Sequence, residues 1–179
     1  MRRTGLVAGM AVALWAAPAA TAGQATARPA SFWVTGGLGG SLYTGGEELG
    51  DDDAGLVLIG QVSYQTGPHI LSLRGSIIAE IFDDALSDVG VLYGRGLEGE
   101  TGHASIAAGV AWVYAEDCPG GLFSSGPCTT ENTVGVPIVA EASFRPWSFV
   151  GIGGQAAVNL NAARTVFGVA LILQLGALY

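Results

Sequence analysis

Lysine is absent from this chain, and its seven basic residues, all arginine, face fifteen acids. The resulting net charge of −8 excludes nucleic acid as a partner, since no basic patch exists to neutralise phosphates. Cysteine is limited to Cys118 and Cys128, and histidine to His69 and His103, which lie far from them in sequence. A closed metal site needs more ligands than two thiolates, so neither a metal nor a cofactor is expected. Long apolar runs are missing as well. No uninterrupted apolar stretch of about 18 residues follows the N-terminal segment, which excludes helical membrane spans. Helical periodicity is absent from the same region. Yet half of the residues are hydrophobic and 29 are glycine. That combination points to short-period, glycine-rich strands in a chain long enough for one domain.

The N-terminus carries an export signal. Arg2 and Arg3 form a positive start, Leu6 to Ala17 is apolar, and Ala20-Thr21-Ala22 fits a small-residue cleavage site. Cleavage after Ala22 leaves five arginines against fifteen acids, a net charge of −10, and no cysteine near the cut for lipid attachment. Export places Cys118 and Cys128 in an oxidising compartment, so a disulfide closing AEDCPGGLFSSGPCTTEN is expected. On the disputed loop-entropy model it stabilises by at most ~3 kcal/mol.

After a polar tail (Gly23–Ser31), eight strand-like segments fill residues 32–179. They are Phe32–Tyr43, Gly55–Thr66, His69–Phe82, Leu86–Gly96, His103–Glu116, Thr133–Phe144, Phe149–Leu160 and Arg164–Leu178. Each is longer than the strands of ordinary sheets and matches the ~9–11 or more residues that a tilted strand needs to cross a bilayer. Connections after the first and fifth are long. Those after the second, fourth and sixth are short or glycine-rich, and DDA and NAA follow the third and seventh. This asymmetry predicts an even-stranded barrel with both termini on the periplasmic side. Ten of the fifteen acids fall on the opposite, outer side, while Arg95 and Arg145 lie toward the terminal rim.

Alternation decides which face meets what. In the last strand, Phe167, Val169, Leu171, Leu173, Leu175, Ala177 and Tyr179 share one face; the other is smaller and holds Gln174. In the second, Leu56, Leu58, Val62 and Tyr64 oppose Gln61, Ser63 and Gln65. In the third, Leu71, Leu73 and Ile77 oppose Ser72, Arg74, Ser76 and Glu80. The fifth sets Ile106, Val110, Trp112 and Tyr114 against Ser105 and small residues. The sixth sets Val136, Ile138 and Phe144 against Glu141 and Ser143, and the seventh sets Ile152, Val158 and Leu160 against Gln155, Asn159 and Asn161. Amides and charges share the cramped face, so the apolar face is expected outward, in lipid. Trp112 and Tyr114 would form one aromatic girdle, and Tyr64, Phe144 and Tyr179 the other. Glycines blur the fourth strand, and Pro137 predicts a bulge in the sixth because it lacks a ladder donor.

The segments GVPIVAEASFRP, FVGIGGQAAVNLNA and VFGVALILQLGALY, with the signal peptide, resemble the small OmpA-like or OmpX-like outer-membrane β-barrel proteins of Gram-negative bacteria. The resemblance implies an eight-stranded antiparallel up-and-down transmembrane barrel and a non-enzymatic role: structural, surface-interacting or narrowly porin-like. It implies contact with outer-membrane lipid and lipopolysaccharide, and assembly through a C-terminal signal ending at Tyr179. A monomer is expected.

Eight strands leave a lumen that side chains can fill. Arg74, Glu80, Glu141, Arg164, Gln61, Gln155 and Asn159 are expected to form a lumen polar network. Depth along the strands pairs Arg74 with Glu141 and Glu80 with Arg164, as a polar plug or a gate for water or ions. The acidic run Glu47, Glu48, Asp51, Asp52 and Asp53 offers a loop for divalent cations, although it lacks the spaced ligands of an EF-hand and reads better as a solvated surface. His103-Ala104-Ser105 with Glu116 resembles the His-x-Ser and Glu set of outer-membrane lipid A deacylases. Ile106, however, stands where that family has Asn, and eleven residues of strand put Ser105 and Glu116 ~36 Å apart. A soluble periplasmic barrel holding an apolar ligand is the remaining alternative, and inward amides and charges argue against it.

Overall fold

The computed structural model describes residues 30–44, 54–80, 85–117, 129–162 and 165–177. They form strands β1 (Ser31–Thr44), β2 (Ala54–Thr66), β3 (His69–Glu80), β4 (Ala85–Glu98), β5 (Gly102–Asp117), β6 (Thr129–Trp147), β7 (Val150–Asn161) and β8 (Thr165–Ala177). Each strand pairs antiparallel with its sequence neighbour, and β8 closes onto β1. The result is an eight-stranded closed barrel without a free lateral edge along its shared height. No helix among the described residues is long and apolar enough to cross a membrane, which says nothing about strands.

Three tight turns, at 67–68, 99–101 and 148–149, lie at the end where β1 begins and β8 stops, called here the terminal end. At the first of them Gly67 has φ 56°. Proline at position 68 fixes a negative φ there, so the turn needs its positive φ at the first central residue alone, where glycine has no Cβ penalty. The opposite, far end receives the connections 45–53, 81–84, 118–128 and 163–164, which lie outside the described residues. The Cys118–Cys128 loop, the acidic run Glu47–Asp53, the signal segment 1–22, Arg164 and Tyr179 therefore lie outside as well.

Burial alternates with period two along the strands, clearest in β2 and β4. The glycines that blur β4 in sequence resolve it in space. Gly90, Gly94 and Gly96 share the inner face with Leu86, Asp88 and Leu92, while Val89, Val91 and Tyr93 point outward. The outer wall is an apolar band that includes Leu38, Leu58, Leu73, Ile77, Val110, Ile152 and Leu171, all exposed.

The expected bulge at Pro137 does not occur. Val136↔Leu160, Pro137↔Asn159 and Ile138↔Val158 stay in register. On the β5 side the ladder lapses opposite Val136 and Pro137, then resumes at Ala111↔Gly135 without a shift. The missing donor is absorbed by this local lapse, and the proline ring is fully buried inside the barrel. Opposite it stands Gly109, where an added Cβ would lie 1.9 Å from the carbonyl oxygen of Val91. The one recorded register shift of β6 falls instead between Phe144 and Trp147, at the terminal rim.

Candidate functional site

The interior of the barrel has two chemistries, stacked along its axis. Nearest the far end, Val57, Ile59, Ile78, Leu86, Val113 and Val166 pack into one cluster with Ala170, and Val113 has 0% exposure. These residues come from the inner faces of β2, β3, β4, β5 and β8, so the layer crosses the lumen. Sequence reasoning read the inner face as polar and small and missed this layer. Its signal was available, since Val57 and Ile59 share parity with Gln61, and Ile78 with Arg74.

Beneath that layer lies an ion pair. Arg74 Nη1 stands 3.1 Å from Asp88 Oδ1, with both side chains buried. Arg74 Nη1 also donates to Ser76 Oγ at 3.4 Å, and Asn159 Nδ2 donates to Asp88 Oδ2 at 2.9 Å. A cavity of about 20 Å³ adjoins these groups, lined also by Val57, Ile59 and Pro137. It has room for about one water. The ion-pair partner of Arg74 is thus Asp88 on the neighbouring strand, not Glu141. Register explains this, because Ser76 sits opposite Asp88, two residues along from Arg74 on the same face.

Glu141 is held by amides instead. Its Oε1 accepts from Gln61 Nε2 at 3.0 Å and from Gln155 Nε2 at 2.5 Å, and its Oε2 accepts from Gln174 Nε2 at 3.4 Å. Gln61 Nε2 also donates to Ser63 Oγ, which bonds Ser72 Oγ at 2.9 Å on β3. This layer ties β2, β3, β6, β7 and β8 together across the lumen. Gln61, Arg74, Glu141, Gln155 and Asn159 are all inward and buried. The side chain of Glu80 is outside the described set, like Arg164. Asp88 and Gln174 complete the two clusters.

At the terminal mouth, Trp33 and His103 meet edge to face with centroids 5.5 Å apart, and Trp33 packs on Ile70. The buried Trp33 Nε1, His103 Nε2 and Ser143 Oγ have no hydrogen-bond partner there. Arg145 closes the rim from the side, donating to the carbonyl oxygens of Gly99 and Gly102 at 3.2 and 3.1 Å. His103 and the half-buried Ser105 both face the lumen, and Glu116 lies near the other end of β5. No hydrogen bond joins the three. Among the described residues no group of His, Cys, Asp and Glu could hold a metal ion.

On the outside, Trp112 and Tyr114 are exposed near the far end, and Tyr64, Tyr93, Phe144, Trp147 and Phe149 near the terminal end. Between the two aromatic rows the wall is aliphatic or glycine. At the far end β6 overshoots β7, while β4 stays paired with β5 as far as Glu116. β6 pairs with β5 out to Asp117↔Thr129, whereas its pairing with β7 stops at Gly135↔Asn161.

Neither a scan of protein families nor a search of curated proteins finds a match. Solved structures do match. Neisserial surface protein A superposes with a TM-score of 0.67 at 10% identity, covering 83% of this chain and 99% of that one. The two share one fold over nearly the whole of that protein. The N-terminal β-barrel domain of Pseudomonas aeruginosa OprF gives 0.58 at 13% identity, covering 82% and 96%. Ail, the attachment invasion locus protein of Yersinia pestis, gives 0.56 at 14% identity, covering 82% and 97%.

Proposed function

We propose that this chain is a non-enzymatic integral barrel of the bacterial outer membrane, with both termini in the periplasm. Its lumen is a closed structural core, and its work is done at the outer surface. The observation that carries this reading is the inverted polarity of the barrel: its exposed band is aliphatic, while the Glu141 amide cluster and the Arg74–Asp88 pair are buried inside. An apolar band around a whole barrel is far larger than water-soluble monomers expose, and a bilayer covers it. Another matching solved structure, OprG of Pseudomonas aeruginosa, is an outer membrane protein by name and supports the same reading.

A porin-like passage fits less well than a plug. A solute entering from the terminal end meets the Glu141 layer, then the Arg74–Asp88 pair, then the aliphatic layer around Val113. A void of about 20 Å³ does not pass a solute. A lipid-modifying hydrolase also fits less well. His103 and Ser105 face inward, out of reach of a lipid on the wall, and they lack the mutual hydrogen bond that activates a nucleophile.

Surface interaction through the far end is favoured by the overshooting β6, whose Thr129–Val134 stretch stands beyond β7. Ail has been seen with the heparin analogue sucrose octasulfate. A sulfated polyanion suits this chain poorly, because Glu47, Glu48, Asp51, Asp52, Asp53, Glu116 and Glu131 all belong to its far end. Basic or cation-bridged partners, lipopolysaccharide with its divalent ions among them, match that charge. The C-terminal sequence through β8 to Tyr179 serves as the assembly signal, and the barrel acts as a monomer.

Membrane-extracted protein is expected to migrate differently on gels before and after boiling, and to give no channel events in planar bilayers. Detergent-free solubility of the exported chain contradicts the membrane reading, and stable single-channel currents contradict the closed lumen.

A further inference from the structure

The outer wall is not evenly clad. One row of its ladder runs from Gly60 on β2 through Gly75 and Val89 to Trp112 on β5. In the next row toward the far end, Leu58 and Ile77 are followed by Ser87, Tyr114 and Asn132. Between these rows lies a groove of about 440 Å³, open to the outside. Gly60 and Gly75 keep its floor low, and Leu58, Ile77, Trp112 and Tyr114 rise around it. That volume falls within the ~300–1,000 Å³ of ordinary ligand sites.

The wall itself does not need these glycines. An added Cβ at Gly60 meets nothing within 4 Å, and at Gly75 the nearest atom is Val89 Cγ2 at 3.4 Å. Glycine inside a strand costs stability, so what the missing side chains preserve is the depth of the groove.

The groove also changes character toward the far end. Its floor and sides belong to the aliphatic band, whereas Ser87, Trp112 and Tyr114 bring polar atoms to its upper side. Trp112 Nε1 donates to Asn132 Oδ1 at 3.3 Å, which turns the amide oxygen to the indole and leaves the NH2 as the outward donor. One row further out, Glu116 pairs with Thr130 on the same face. Hydroxyls, an amide and a carboxylate exchange hydrogen bonds with sugar hydroxyls. They offer a phosphate no cation. Among the described arginines, Arg74 lies in the lumen, and Arg95 and Arg145 stand at the terminal end. Hydrocarbon, then aromatics, then neutral polar groups is the order in which a membrane surface presents a sugar-headed lipid.

We propose that this groove binds a glycolipid of the leaflet at the far end, with one acyl chain lying on Gly60 and Gly75 beside Trp112 and the sugar against Ser87, Asn132 and Thr130. The proposal rests on the membrane reading above. It adds a lipid class and a position to it.

Native mass spectrometry of the full chain, extracted from membranes into a mild detergent, tests it. The probes are digalactosyl diacylglycerol and phosphatidylglycerol with the same acyl chains, in equal amounts. The wild type is expected to retain one galactolipid with about tenfold preference, equivalent to about two neutral hydrogen bonds. Gly60→Leu fills the groove and is expected to abolish that retention while keeping heat-modifiable migration. Asn132→Ala/Thr130→Ala is expected to hold the two lipids equally. Brominated acyl chains give a second reading on a wall without a filled groove: the galactolipid should quench the wild type more than phosphatidylglycerol does, and Trp112→Phe should remove the excess. Equal retention of both lipids by the wild type, unchanged retention in Gly60→Leu, or an excess of quenching that survives in Trp112→Phe overturns the site. A chain that stays soluble without detergent defeats the membrane reading itself, a result none of the other outcomes can mimic.

Discussion

The two halves of the lumen are walled by the same strands in the same register, yet they are held together differently. Toward the far end, Val57, Ile59, Ile78, Leu86, Val113 and Val166 fill the space with hydrocarbon. Toward the terminal end, Glu141 collects hydrogen bonds from Gln61, Gln155 and Gln174. The aliphatic half depends on volume and tolerates any side chain that fills it. The polar half depends on matched donors and acceptors, and each member removed leaves another unsatisfied in a dry place. The Arg74–Asp88 pair stands where the two meet and carries the larger penalty for being split.

Asp88→Ala should therefore have the largest effect, about 3–5 kcal/mol, because it strands a buried guanidinium. Urea unfolding in lipid vesicles, followed by the gel shift, measures it. The double replacement Arg74→Met/Asp88→Leu should recover most of the loss, since matched hydrocarbon extends the aliphatic layer downward. If the double variant is as unstable as the single one, the pair specifies the barrel rather than filling it.

Ile78→Ala comes next, at about 2–4 kcal/mol from lost contacts and the cavity left behind. Ile78→Val in the same assay should cost about 1 kcal/mol. A polar network in the far half would not scale with volume in this way, so the two substitutions sharpen the contrast between the halves.

Glu141→Gln keeps the size but replaces a two-oxygen acceptor with one amide carbonyl and an amide NH2 donor that faces other donors. The expected cost is about 1–3 kcal/mol, for donors left without a buried acceptor. Planar-bilayer recordings of the same variant should stay silent, because the aliphatic layer still blocks the far half. Appearance of current would transfer the closure from that layer to Glu141.

The smallest effect should come from the wall. Gly36 faces outward with nothing within 4 Å of an added Cβ. Gly36→Ala should be neutral or stabilise by up to about 1 kcal/mol, through the unfolded chain alone.

Much of this was legible before any coordinates. Strand number and the outward aliphatic face follow from alternation, because a membrane wall imposes period two with little interruption, but β6 runs Thr129–Trp147 where Thr133–Phe144 was expected. Partner choice did not follow. Pairing Arg74 with Glu141 came from counting depth from the rims, a method that ignores the stagger of tilted strands. Asp88 escaped notice because its strand neighbours Gly90, Gly94 and Gly96 carry no polarity by which to assign a face. The bulge expected at Pro137 was wrong for a related reason: a closed ladder can drop one bond opposite Gly109 and keep its register. The aliphatic layer was missed because valine and isoleucine on an inner face look, in sequence, like a lapse in the pattern.

The central claim is that the aliphatic face meets lipid while the amide face is enclosed. Spin labels introduced by Leu171→Cys and Gln155→Cys, in a Cys118→Ser/Cys128→Ser background, test it most directly in liposomes. Leu171 is 79% exposed and Gln155 is 3% exposed. The label at 171 should collide with dissolved oxygen far more than with a water-soluble nickel chelate, and the label at 155 should be shielded from both. A label at 171 that the nickel chelate reaches as readily as oxygen would contradict the account.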